Sequence, residues 1–183
     1  MNAALALAEF HIPSFLKRRE LRRLFTVTAK AFHCEVPSLG SLSYTQTLDL
    51  FAQFAERESQ AALEEGKDLN AIGERLYAGA HELGGKMRRK LRVGTMNEAM
   101  RAARLLYSVI GINFLGTPRG EVTINRCFFG ERFSPVTCRI ISALDAGMMS
   151  GLTQGGTFTF TRRMTEGAET CMAYLIPPGR PYE

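Results

Sequence analysis

The hydrophobic pattern of this chain changes period once, near Gly111, and that change constrains the fold more than any other feature. Upstream, Leu69, Ile72, Leu76, Leu83, Met87 and Leu91 follow one another at spacings of three, four or seven, as the buried stripe of a helix requires. Downstream, Val122, Ile124 and Phe128 stand against Thr123, Asn125 and Cys127 with the twofold alternation of a strand, Cys127 falling on the more polar side. The expected fold class is therefore α+β. An N-terminal helical half, about residues 14–110, packs on a small antiparallel sheet with one inserted helix, about residues 112–177. At 183 residues the chain fits a single domain, 1–183, with a core that needs no metal or disulfide staple.

Local signals set the boundaries. A first helix over residues 14–32 puts Phe15, Leu21, Leu24 and Phe25 on one stripe, and Pro37 and Gly40 in "CEVPSLGS" break it. A second opens at "SYTQ", which has the form of a capping box at Ser43, and ends around Gly66. The third carries the stripe described above, with Gly79, Gly84 and Gly85 expected to loosen or kink it. A fourth opens at "TMNE", with Thr95 and Glu98 as a second capping box, and presents Met100, Ala103, Leu106 and Ile110. After the turn "GTPRGE" comes a strand over residues 121–129. Ser134 and Pro135 then start a helix expected to run to about Leu152, and "GTFTFTRRM" and "TCMAYLI" form two strands joined by "TEGAE".

Composition narrows the function. With 45% hydrophobic and 22% charged residues the chain is an ordinary globular protein, and no apolar run approaches the roughly 18 to 20 residues that cross a bilayer. The opening "MNAALALAEF" lacks a basic n-region and a continuous h-region, so it does not read as a signal peptide, and a cytoplasmic location is the default expectation. In a reducing compartment Cys34, Cys127, Cys138 and Cys171 are thiols rather than bridges, and no spacing among them is C-x-x-C. Ten of the 23 Lys and Arg fall in the runs "KRRELRR" and "KMRRKLR". Such runs attract acidic partners, or they are solvated helix faces. No aromatic residues interleave with them, and no helix-turn-helix or zinc-finger spacing is present, so neither nucleic acid nor a membrane is the expected partner. A small molecule is. The apolar helix stripes suit a homo-oligomer as well as a monomer core.

The candidate site lies in residues 124 to 152. If the helix starts at Pro135, Cys138 is its fourth residue, near the positive end of the helix dipole, where a thiol is easier to ionise. Ser142 and Asp145, four and seven positions on, share its face. A cysteine on a helix face is most often a small buried hydrophobe. Asp145 is harder to place that way, because it falls in the otherwise uncharged run "IISALDAGMM" and needs a partner, Arg139 or Arg162.

From "INRCFF" through "SPVTCRIISALDAGMMSGL" to "FTFTRRMTEGAETCMAYL", the C-terminal third resembles the bacterial L-2-amino-thiazoline-4-carboxylic acid hydrolase family. The matching elements are Cys127, Pro135 with Cys138, Asp145, Arg162, Thr165, Gly167 and Cys171. The resemblance implies hydrolytic opening of a cyclic amidine. Cys138 would then be the nucleophile, Asp145 the general acid or base, and Cys127 a third catalytic residue. Arg162 would clamp the substrate carboxylate, with Asn125, Thr165 and Cys171 completing the substrate-binding set. No cofactor is expected, unless Cys127, Cys138 and Cys171 join with a water as an open zinc site. His11, His33 and His81 read as exposed or packed histidines rather than ligands, with His33 beside Cys34 the pair to check. A looser likeness, to 4-vinyl-reductase-type small-ligand domains, implies a non-catalytic binding or sensing module instead. Its apolar cavity would be lined by Phe128, Phe129, Met148, Met149, Phe158 and Phe160.

Overall fold

A computed structural model describes residues 12–179 together with residues 2, 3, 5 and 6; His11 and most of the opening decapeptide lie outside them. From Ser14 onward, four helices come first. Helix α1 (Ser14–Phe32) buries Leu21, Phe25 and Phe32. Helix α2 (Tyr44–Glu64) opens with the capping box expected at Ser43, whose side chain accepts from the Gln46 N–H while the Gln46 side chain accepts from the Ser43 N–H at 2.8 Å. The two helices meet through aromatic rings, Phe25 standing edge-on to Phe51 with centroids 5.1 Å apart. Helix α3 (Leu69–Leu91) starts at Asp68, whose carboxylate accepts from the backbone of Asn70 and Ala71. Helix α4 (Met96–Ser108) opens with the second box, at Thr95 and Glu98.

The period changes where Gly111, at φ 71°, takes the left-handed conformation that turns the chain out of α4, a geometry disfavoured for any side chain with a Cβ. Strands β1 (Asn113–Gly116), β2 (Glu121–Arg126), β3 (Thr157–Arg162) and β4 (Cys171–Ile176) form one antiparallel sheet in the order β1-β2-β4-β3. Between β2 and β3 run helices α5 (Pro135–Ile141) and α6 (Ala143–Thr153). One face of the sheet is buried against the helices through Phe114, Val122, Ile124, Phe158, Ala173 and Leu175. The other exposes Leu115 and Tyr174. The α+β class and the order of its halves are those expected from the change of period.

Three local expectations need correction. Strand β1, absent from the expected elements and sharing Gly116 with the expected turn "GTPRGE", pairs with β2 along its length. Strand β2 stops at Arg126, so Phe128 and Cys127 lie beyond the sheet. The inserted helix is two helices that meet at Ser142, whose hydroxyl donates to the Arg139 carbonyl at 2.8 Å; such back-bonding bends a helix without any proline.

The glycines of α3 do not interrupt it. Gly84 instead lets α6 come close. A Cβ built on Gly84 would stand 2.3 Å from the Met148 carbonyl oxygen, and one on Gly151 would stand 2.2 Å from that of His81. Gly147 makes the same approach to Tyr77. Glycine on both helices thus sets the spacing of two elements that carry the site. No helix among the described residues is long and apolar enough to cross a membrane.

Candidate functional site

Between the helices and the inner face of the sheet lies a cavity of about 620 Å³. Leu24 of α1, Ala80, Leu83 and Met87 of α3, Leu106 of α4 and Met148 of α6 supply much of its wall. These positions are the core-facing stripes of amphipathic helices, but here the stripes do not close on one another. Leu24, Leu83, Met87, Leu106 and Ile110 remain only half-buried because they border the hollow.

Away from the charged residues that α1 and α3 contribute, polar groups of the cavity come from α4, α5, α6 and the β3–β4 hairpin. Asp145 Oδ1 accepts a 2.6 Å hydrogen bond from the Tyr107 hydroxyl, and Tyr107 in turn stacks on Phe114 with centroids 4.7 Å apart. Burial pushes the Asp145 carboxyl up to about 6; the Tyr107 hydrogen bond and the nearby Arg163 guanidinium offset only part of that. Burial likewise raises Tyr107 well above the ordinary phenol value, and the Asp145 charge adds to it. Arg163 lies over the Phe160 ring at 4.3 Å with its Nε 3.7 Å from Glu166.

Three of the four cysteines, Cys127, Cys138 and Cys171, border the same hollow. The structure overturns the expectation that Cys138 ionises readily. Its thiol is pushed up by burial, and the Thr165 hydroxyl and Arg163 beside it compensate only in part. The helix it sits in is seven residues long, and the Cys138 N–H is already bonded to the Ser134 carbonyl at 2.9 Å. Cys127 is pushed up to about 12, chiefly by burial, with Asp145 and the other two sulfurs adding to the shift. Cys171 is also raised by burial, although its sulfur accepts from the Met164 N–H at 3.3 Å. Native protein treated with iodoacetamide at pH 8 should therefore leave Cys127 unmodified on a timescale at which the same residue in urea is fully alkylated, as read by peptide mass spectrometry. Equal rates in the two states would contradict this environment.

The cavity brings together Cys138, Asp145, Cys127 and Cys171 from the expected set and leaves out the rest. Arg162 is exposed on β3, and Asn125 is exposed on β2. Thr165 lies against Cys138 but does not border the hollow. Arg139, the other expected partner of Asp145, bonds instead to Glu166 at 2.7 Å. The residues that sequence reasoning missed are Tyr107 and Arg163. Of the six apolar residues expected to line a binding cavity, Phe129, Met148 and Phe160 do so. Phe128 lies under the Arg132 guanidinium, while Met149 and Phe158 are packed core. The zinc expectation also fails. Among the described residues no group of three His, Cys, Asp or Glu side chains is placed to hold a metal ion. That includes His33 and Cys34, the latter bonded through its thiol to the Ala29 carbonyl.

Comparison with known proteins returned no matching family model and no matching curated protein. Among solved structures, the chain matches an H-NOX domain from Shewanella oneidensis, a mutant solved by NMR in the Fe(II)CO ligation state. The identity is 14%, the TM-score 0.39, and the match covers 98% of this chain and 100% of that one. At that score and identity neither the fold nor the ligand of that domain is carried over. Membership of the thiazoline hydrolase family does not stand, since no family model matches the chain. The hydrolytic roles assigned to Cys138, Asp145, Cys127 and Arg162 go with it. The expectation of no cofactor beyond zinc does not stand either, since a hollow of this size has room for an organic group.

Proposed function

We propose that the chain is a non-catalytic small-molecule-binding domain whose ligand occupies the cavity between its helices and its sheet. The observation that carries this reading is the cavity itself, about 620 Å³, apolar over most of its wall and furnished with a few convergent polar groups. Ligand pockets fall in the range of about 300 to 1,000 Å³ and have that make-up. Its chemistry favours holding over turnover. Three thiols kept protonated by burial are poor nucleophiles, and they are compatible with the reducing interior of a cell. Asp145 is a carboxylate retained in an apolar wall, and buried ionisable groups of that kind concentrate where a protein binds or reacts.

Filling an apolar void restores dispersion contacts that its lining otherwise lacks, so a ligand that fits should raise the melting temperature. Dodecan-1-ol is a suitable apolar probe, read by thermal denaturation and by isothermal titration. Leu83→Trp places an indole in the hollow from a half-buried position on α3 and should weaken probe binding at least tenfold, roughly 1.4 kcal/mol, while leaving the far-UV circular dichroism unchanged. Equal binding by the wild type and the variant would place the probe elsewhere and remove the basis of the proposal.

A further inference from the structure

Building on the reading of the hollow as a ligand site, the geometry points to an amphipathic anion as its occupant, with an apolar chain in the cavity and its head held at the mouth by Arg89 and Lys90. The mouth is marked by the lining residues that are exposed: Lys86, Arg89 and Lys90, near the end of α3. Glu20 and Arg23 of α1, which packs on α3, border the same opening. Its charged groups are therefore four cations against one carboxylate. Glu20 is already engaged by Arg19 and Arg23, and Lys86 by Glu82 at 2.6 Å. Arg89 and Lys90 have no acidic partner among the described residues. Cations in a last helical turn also offset the negative end of the helix dipole. That role is indifferent to the face they occupy, and Arg88, the third cation of the turn, does not border the hollow.

The interior fixes the orientation. Behind the mouth the wall is Leu24, Leu83, Met87 and Ile110, which suits a hydrocarbon chain. Beyond it the Asp145 carboxylate stands near the Arg163 guanidinium, which Glu166 also flanks at 3.7 Å, so the one cation of the far end is already matched by carboxylates. An anionic head is thus favoured at the mouth, where Arg89 and Lys90 outnumber the carboxylates, over the far end, where carboxylates flank the only cation that lines it, so the chain enters tail first. A carboxylate and a phosphate monoester share this chemistry.

The test is titration calorimetry of the full chain at low ionic strength with dodecanoate, dodecyl phosphate and dodecan-1-ol. At least one of the two anions should bind about tenfold more tightly than the alcohol, and added salt should shrink that advantage. The double variant Arg89→Gln/Lys90→Gln should abolish the advantage and leave alcohol binding unchanged. Arg18→Gln/Arg22→Gln removes the same charge from an exposed stretch of α1 outside the cavity and should leave all three affinities unchanged. Alcohol binding as tight as that of both anions, or an anion advantage that survives the Arg89 and Lys90 changes, overturns the inference while the cavity reading stands. Failure of all three probes to bind overturns both.

Discussion

Gly151→Ala is expected to destabilise the fold by about 3 kcal/mol, read as a lower urea midpoint with an unchanged slope. The three atoms nearest a methyl group there are all backbone of α3. The His81 oxygen would lie 2.2 Å away and the Gly85 nitrogen 2.7 Å, and neither can turn aside as a side chain would. Helix α6 would have to lift from α3, and with it Asp145 and Met148 would move away from Leu83 and Met87, so any ligand affinity should fall alongside stability. Gly85→Ala provides the contrast. Its Cβ finds nothing closer than the tip of Arg89 at 3.7 Å, and alanine in a helix is favoured over glycine by about 0.8 to 1 kcal/mol, so this variant should be the more stable one. Similar behaviour of the two variants would mean that the helices do not approach as closely as their glycines allow.

Asp145→Asn should act in the opposite direction, stabilising the protein at pH 7.5 by as much as about 3 kcal/mol. The folded carboxyl titrates at about 6 against an ordinary value of 3.8, so the folded state holds its proton more tightly than the unfolded chain. The stability this contributes is fully present below pH 3.8 and is lost as pH rises through about 6. At neutral pH the protein therefore carries the cost of a buried charge that an amide avoids, while the amide oxygen still accepts from Tyr107. The gain should fade as the pH is lowered toward 4. A variant less stable than wild type at both pH values would show that the carboxylate is paired more strongly than its surroundings indicate. A ligand that excludes water from the cavity should penalise the charge further, so apolar ligands should bind more tightly below pH 6 than above it.

How far the sequence foreshadows this structure depends on the kind of signal each element carries. Helices α2 and α4 begin at the residues their capping boxes mark, because the cap is a local hydrogen-bond pattern written in consecutive residues. Strand β1 is four residues, "NFLG", too short to show alternation, and it exists through its pairing with β2. The division at Ser142 has no glycine or proline to announce it.

The site follows the same division. Cys138 and Asp145 share a helical face across that bend, and both border the hollow. Tyr107 lay four residues after Ala103 on a stripe already recognised, and a buried phenol needs a hydrogen-bond partner, so its pairing with Asp145 had a signal that went unused. Arg163 had none. Strict alternation puts Phe158, Phe160 and Arg162 on one face, but the register shifts between Phe160 and Arg162, which leaves Arg162 exposed and Arg163 at the cavity. The hollow itself is invisible to pattern reading, since a stripe that lines a void and a stripe that fills a core have the same period.

A ligand-binding role requires that the hollow take up an apolar molecule in solution. The most direct measurement is a methyl spectrum of protein carrying 13C-methyl methionine, recorded as dodecan-1-ol is added. Of the eight methionines, Met87 and Met148 border the cavity, whereas Met96 and Met172 do not. The first two resonances should move in a saturable, one-to-one manner while the second two stay in place. Resonances of Met87 and Met148 that remain fixed while the probe binds, or a response confined to Met96 and Met172, would contradict that role.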